Sequence, residues 1–438
     1  MRDILLTLAF AIAVPLMVWR PSFGALSWAW FGLMNPHRLT WGFAYSLPFS
    51  QIIIGATLLG ALVSKEPKQP KGGAATVVLL ALVCYFAVTT LFALVPTIAG
   101  PTLERVIKVQ IGTFLALLLL YKREHVIALM WVMAVSIGFY AVKGGLYTIA
   151  TLGAGRVWGP LDSFIADNNA FALATVMSIP VWAFLYTQYA ERKWLRRAIL
   201  VAIALSALSA LGSQSRGALL AIGAMAAFLW AKSDRKSLTG PVILLIGMAL
   251  IAFMPDAWMQ RMSTIQTYQQ DGSAIGRMET WKMLYNLAAS RPLMGGGFEP
   301  YERWIFEIYN PAYPGVHSAH SIYFQVLGEH GFVAFGLFLL FWALMWRMCN
   351  QIVKATEHRA AERWAYWVAQ MTKVSLVAYL VGGAFLNLAY WDMPYFLFVA
   401  VAVTRWVVRQ PQTVPVKVPV RRRPPLRPLR AVTARQGS

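Results

Sequence analysis

The sequence predicts an all-α membrane protein, a polytopic transmembrane helical bundle of about 12 spans with one long, partly helical loop on its outer face. Three observations predict it. Of 438 residues, 58% are apolar and only 13% are charged, against about 25% charged in soluble proteins. Apolar runs near the roughly 20 residues that cross a bilayer recur along nearly the whole chain. The Lys and Arg residues gather in short breaks between those runs, and every second break is basic, as orientation by positive charge requires. The net charge of +21 is therefore read as topology, and no nucleic-acid partner is expected. Cys84 and Cys349 fall in or beside spans, which argues against a disulfide framework.

The first apolar region, 4–34, is broken by Pro15 and by Arg20-Pro21. Its start, Met1-Arg2-Asp3, reads as an uncleaved first span, because no small-residue cleavage site precedes a soluble domain. Spans then follow at 47–63, 74–94, 103–121, 125–150, 167–187, 196–212, 215–231, 240–254, 320–347, 371–388 and 394–408. The basic breaks are Lys65/Lys68/Lys71, Lys122/Arg123, Arg192/Lys193/Arg196/Arg197, Lys232/Arg235/Lys236 and Arg347/Lys354/Arg359/Arg363. All fall on one side, taken as cytoplasmic. One crossing by 4–34, as a broken helix, gives twelve spans with both termini cytoplasmic, and Arg2 favours it. Two crossings put the N-terminus outside.

The membrane-embedded part is thus residues 1–408. On its outer face, 213–214 is a bare turn, 35–46 and 151–166 are medium loops, and 255–319 is long enough to be functional. In that loop Trp281, Leu284, Tyr285 and Ala288 recur with helical period. Pro292 ends this helix, and Gly295-Gly296-Gly297 makes a tight turn. The helix is expected to lie on the membrane surface. The basic tail 409–438, rich in Pro and Arg, is expected to be disordered, cytoplasmic and in reach of anionic membrane lipids.

Four polar features need a reason. Arg216 sits in Gly212-Ser213-Gln214-Ser215-Arg216-Gly217, at the mouth of a tight hairpin where Ser215 can cap the next helix. A helix N-terminus beside a guanidinium suits a phosphate, although an interfacial Arg also snorkels to lipid phosphates. Arg277 shares a face with Trp281, and alone reads as a solvated charge. His320, where the long loop re-enters the membrane, can act as a base near neutral pH or simply sit at the interface. His317 is a second candidate, and His330 beside Glu329 reads as a buried polar pair. In the stretch from Arg156 to Asn169, Asp167 and its neighbours look like ordinary loop and cap residues, while Arg156 adds charge to an outer cavity. No outer Asp-x-Asp pair, Cys/His cluster or phosphate-binding Gly loop accompanies them. No metal and no cofactor are expected.

Gly212 to Gly217, Arg277-Met278-Glu279-Thr280-Trp281 with Pro292 and Gly295/Gly297, and His320-Ser321-Ile322-Tyr323 with Leu327-Gly328-Glu329-His330-Gly331 together resemble the O-antigen ligase and polymerase superfamily. Asn35-Pro36-His37-Arg38-Leu39-Thr40-Trp41-Gly42 resembles its exosortase-associated ligase branch. Many members read His-Asn where this chain has His320-Ser321. The resemblance implies a metal-independent, inverting glycosyltransferase of the bacterial inner membrane with a periplasmic active site. It implies a glycan on undecaprenyl diphosphate as donor and the lipid A–core oligosaccharide as acceptor. His320 is then the base, Arg216 and Arg277 stabilise the leaving diphosphate, and Arg156 and Arg291 assist. A polymerase that accepts another repeat unit, or a ligase that modifies protein hydroxyls, would share these motifs. A transporter is the reading from another class; it calls for polar residues at mid-membrane and repeat symmetry, and the chain shows no repeat.

Overall fold

The computed structural model describes residues 1–263 and 272–410, and every regular element among them is helical. Helices pair their backbone groups internally, which an apolar surrounding demands. The predicted spans appear as α3 (Phe49–Val63), α4 (Ala74–Leu91), α5 (Pro96–Leu119), α6 (Arg123–Ala150), α7 (Asn168–Gln188), α8 (Lys193–Gly212), α9 (Arg216–Lys232), α10 (Lys236–Ala252), α14 (Ile322–Thr356), α15 (Arg363–Gly382) and α16 (Asp392–Arg409). Arg347 and Lys354 therefore belong to the last turns of α14 rather than to a loop. Seven helical stretches are long and apolar enough to cross a membrane: Arg2–Trp19, Ala74–Leu91, Arg123–Ala150, Asn168–Gln188, Lys193–Gly212, Ile322–Thr356 and Ala360–Phe385. The chain is a multi-pass membrane protein.

Region 4–34 differs from the expectation of one broken crossing. It folds as a hairpin of α1 (Arg2–Trp19) and α2 (Pro21–Met34), which turns at Arg20. Pro21 occupies the first position of α2, where its missing N–H costs nothing. The start of α1 is held at the end of α2: Gly42 and Ala44 donate backbone N–H groups to Asp3 at 3.0 and 3.1 Å. The turn lies by the end of α3, where Ser22 donates its N–H and its hydroxyl to Glu66, both at 3.2 Å. Gly60 of α3 sits so close to the backbone of Met17 and Val18 that a Cβ there would meet their carbonyl oxygens at 2.6 Å.

With this turn, α1–α10 and α14–α16 each run between two ends of one bundle, one run more than the twelve expected. The basic breaks share one end, where Lys71 donates to the Leu118 carbonyl and lies over the Trp406 ring. Segments 35–48, 92–95, 151–167, 213–215, 253–321 and 383–391 share the other, called the loop end below. Met1 is at the loop end and Arg409 at the basic end. At the centre stand α7 and α16. Every residue of α16 from Asp392 to Thr404 is buried, as expected of a helix that is apolar nearly all round.

Between α10 and α14 the long segment carries α11 (Asp256–Ser263), α12 (Gly272–Ser290) and α13 (Arg303–Tyr309). The predicted helix around Trp281 is α12. Its inner face supplies Met283, Leu284 and Leu287 to a second small core with Ile305, Phe306 and Ala319. Tyr285 points outward instead, 53% exposed. Of the basic tail, residues 411–438 lie outside the described residues.

Candidate active site

His320 is the last residue but one before α14. Its φ of 42° is left-handed, a strained setting that His adopts more readily than bulkier side chains. Its position is fixed from α12. The Trp281 indole donates to the carbonyl of Ala319, the residue before His320, at 2.7 Å. Its ring also stacks on Phe324, 5.1 Å away and 5° from parallel. Arg277 precedes Trp281 by one turn on the same face. Burial holds the His320 imidazole below its ordinary 6.5. The Arg277 charge pushes the same way, His317 adds a little, and Asp167 opposes them. Asp167, His320 and Arg277 are thus within one electrostatic neighbourhood. His317 is exposed and tied to the Tyr313 hydroxyl at 2.8 Å.

The Arg216 hairpin adjoins this cluster. Ser215 caps α9 by accepting the Ala218 N–H at 3.2 Å, as the sequence predicts. The Asn168 amide donates to the Ser213 carbonyl at 2.8 Å, so the start of α7, with Asp167 at its cap, is fastened to the hairpin mouth. A Cβ on Gly217 would touch Phe385 at 3.6 Å, and Phe385 lies 6.4 Å, ring to ring, from Trp281. Arg156 joins the same mouth, because its neighbour Val157 donates its N–H to the Gly212 carbonyl at 3.0 Å. Its guanidinium rests 5.9 Å over the Trp158 ring.

Arg291 is not brought here. It lies fourteen residues beyond Arg277, about 20 Å along α12 at 1.5 Å per residue. It donates to the Phe92 carbonyl at 2.6 Å, in the turn that follows α4.

Glu329 and His330 form a fully buried joint in α14, 0% exposed. Glu329 accepts from the hydroxyls of Tyr301 at 3.1 Å and Tyr390 at 2.5 Å, and from the Glu299 N–H at 3.3 Å. His330 shares a 2.7 Å hydrogen bond with the Thr89 hydroxyl and packs between Phe86 and Phe298. Gly331 then leaves helical geometry at φ 75°. The glycine turn repairs this break. Gly296 and Gly297 donate their N–H groups to the carbonyls of Gly328 and Glu329, and Phe332 donates to Pro292. The expected buried pair is therefore the clasp that holds the end of α12 to α14. Its distance from His320, nine residues up α14, makes it support for the site rather than part of it.

The sequence marks Asp167 only as a cap, and it does cap α7, accepting from Asn169 and Ala170. Its second neighbour, His320, lies 153 positions away along the chain, which no local pattern reports. Among the described residues, no group of three or more His, Cys, Asp or Glu is placed to hold a metal ion.

Comparison with known proteins meets this geometry. The O-antigen ligase family matches residues 200–339, a stretch that holds Arg216, Arg277 and His320. A family of unknown function, DUF5935, matches residues 1–190, which hold Arg156 and Asp167. No curated protein matches the chain. Over residues 200–339, then, the chain is similar to the O-antigen ligase family.

Proposed function

We propose that the protein transfers a glycan from undecaprenyl diphosphate to a hydroxyl of the lipid A–core oligosaccharide, with inversion and without a metal, at the periplasmic face of the bacterial inner membrane. The exosortase-associated branch is the one whose N-terminal stretch it resembles. The observation that carries the reading is the meeting of His320, Arg277 and Asp167 beside the capped hairpin that bears Arg216.

The neutral imidazole of His320 takes the proton of the acceptor hydroxyl. The freed oxygen pair attacks the anomeric carbon from the side opposite the diphosphate. The bond from that carbon to the diphosphate oxygen breaks, and its electron pair leaves with the diphosphate. Charge builds on the departing oxygen, and Arg216, Arg277 and Arg156 meet it with fixed guanidinium charge, which is most effective where water is excluded. Asp167 steadies the imidazolium that His320 becomes. The low proton affinity of His320 keeps it neutral, and so competent as a base, before the reaction.

The test is glycan transfer by the purified full-length protein. His320→Ala is expected to slow transfer by about 10²–10⁴-fold, the usual worth of a general base; transfer at the unaltered rate overturns the assignment. Transfer should continue in EDTA, and a strict Mg²⁺ requirement contradicts the metal-free mechanism. In a deletion strain, loss of the lipopolysaccharide ladder with accumulation of undecaprenyl-linked polymer supports the acceptor. Shortened polymer instead makes the protein a polymerase.

A further inference from the structure

The first half of α5 carries charge where an apolar span is expected. Lys108 lies ten residues from Leu118, the point on α5 held at the basic end. That is about 15 Å, roughly half of a ~30 Å hydrocarbon core. Ionisable groups at such depth are costly and mark functional cavities by default. A cavity of about 630 Å³ opens there, walled by α2, α5, the start of α16 and the loop 160–164. Its volume is that of a small-molecule site.

The lining mixes signs. Arg38, Arg105 and Lys108 bring positive charge, and Asp162 and Asp392 bring carboxylates. Several are already engaged: Arg38 lies 3.5 Å from Asp162, and Lys108 lies 2.5 Å from Glu104. Arg105 rests 5.9 Å over the Phe164 ring and has no carboxylate partner among the described residues. Asp392 is 96% buried, 4% exposed. No other described residue donates a hydrogen bond to it, although it faces the cavity. A buried carboxyl whose one donor among the described residues is its own backbone N–H keeps hydrogen-bonding capacity to spare, and one turned into a polar cavity can offer it to a ligand. Trp28 adds an aromatic wall.

We propose that this cavity is a binding subsite for an acidic saccharide, a sugar bearing a carboxylate or phosphate. Arg105 and Lys108 take the acid group, Asp392 takes ring hydroxyls, and Trp28 packs on the C–H face. The assignment rests on the glycan-transfer reading. The same loop that supplies Asp162 ends at Asp167 beside His320, so a chain of sugars leaving the reaction centre along 160–167 enters the cavity. A simple anion site accounts for Arg105 and Lys108 but leaves Asp392 without a role. The source of the sugar is the donor glycan or the acceptor oligosaccharide.

The experiment is binding of methyl glucuronide and methyl glucoside to the full-length protein in nanodiscs of zwitterionic lipid, read by saturation-transfer NMR. The glucuronide is expected to bind. Arg105→Gln with Lys108→Gln should weaken it by at least about tenfold, since both charge-assisted contacts to the acid group are lost. Arg105→Lys, which keeps the charge, should largely retain binding, so that loss of charge is told apart from a changed side chain. Asp392→Asn should weaken both sugars. His320→Ala should leave binding unchanged, so that a failure of the transfer chemistry and a failure of the subsite are told apart. No binding to the unaltered protein, or equal binding to the double variant, overturns the proposal. Binding lost in the double variant yet unmoved by Asp392→Asn reduces the cavity to an anion site and overturns the saccharide assignment. In transfer assays, a raised KM for an acidic donor alone identifies the donor, and a raised KM for acceptor identifies the acceptor.

Discussion

At His320 four influences act on one proton, the smallest of them His317. Burial is the largest and, with Arg277, lowers its affinity, while Asp167 raises it. A base is active when neutral, so the acid limb of kcat/KM, which reports the free enzyme, should have its midpoint below 6.5. Arg277→Gln removes a cation and should move that midpoint up, toward 6.5. Asp167→Asn removes the opposing charge and should move it further down. A midpoint that stays put in both variants places His320 outside their fields. The sequence singled out His320 by its place at re-entry and Arg277 by its spacing from Trp281. It could not weigh Arg291, because that residue's use depends on the Phe92 carbonyl, a partner 199 positions away.

The joint between α12 and α14 shows what an element adds to its motifs. The glycine turn at 295–297 and the run Leu327 to Gly331 are both visible in the sequence as breaks. That each break satisfies the other is not, since the pairing runs between segments joined by a whole re-entrant chain. Gly295 is held at φ 59°, and a Cβ there would meet the Gly328 carbonyl oxygen at 2.6 Å. Gly295→Ala should therefore cost about 2 kcal/mol or more, from the left-handed backbone and the collision together. Gly336, on the same α14, has nothing within 4 Å of its missing Cβ. Gly336→Ala should stabilise, by up to ~1 kcal/mol, through helix propensity. Thermal unfolding in one detergent compares the two, and equal shifts would remove the clasp from the account. The helix around Trp281 was legible for a simpler reason. Its apolar face repeats every three to four residues, and Pro292 closes it.

Across the whole molecule, the alternation of basic and neutral breaks sorted nearly every segment to its end. The exception is 4–34, where Arg20-Pro21 serves equally as a kink or as a turn. Only tertiary contacts decide, those of Asp3 with the loop after α2 and of Ser22 with Glu66. The turn has a direct test in intact cells, with Cys84→Ser as background. A cysteine placed ahead of Met1 should react with a membrane-impermeant maleimide together with one at Trp41, which is 90% exposed at the loop end, and not with one at Lys68. Labelling that follows Lys68 would restore the single crossing. The polar depth of α5 was hidden in the same way: the sequence places 103–121 among the spans, and its three charges gain a reason only beside the cavity.

The segment 151–167 is pinned at three separate points. Val157 is bonded to the Gly212 hairpin, Asp162 meets Arg38 and Tyr45, and Asp167 sits in the field of His320. A short tether held at three places cannot be displaced at one without strain at the others. Whatever stiffens it at Asp162 lessens the ordering cost still due at Asp167. Linkage makes this reciprocal: if a saccharide in the cavity beside Asp162 tightens the grip on the diphosphate by some factor, the diphosphate tightens the grip on the saccharide by the same factor. Occupation of the cavity and of the diphosphate site together would then be favoured over occupation of either alone.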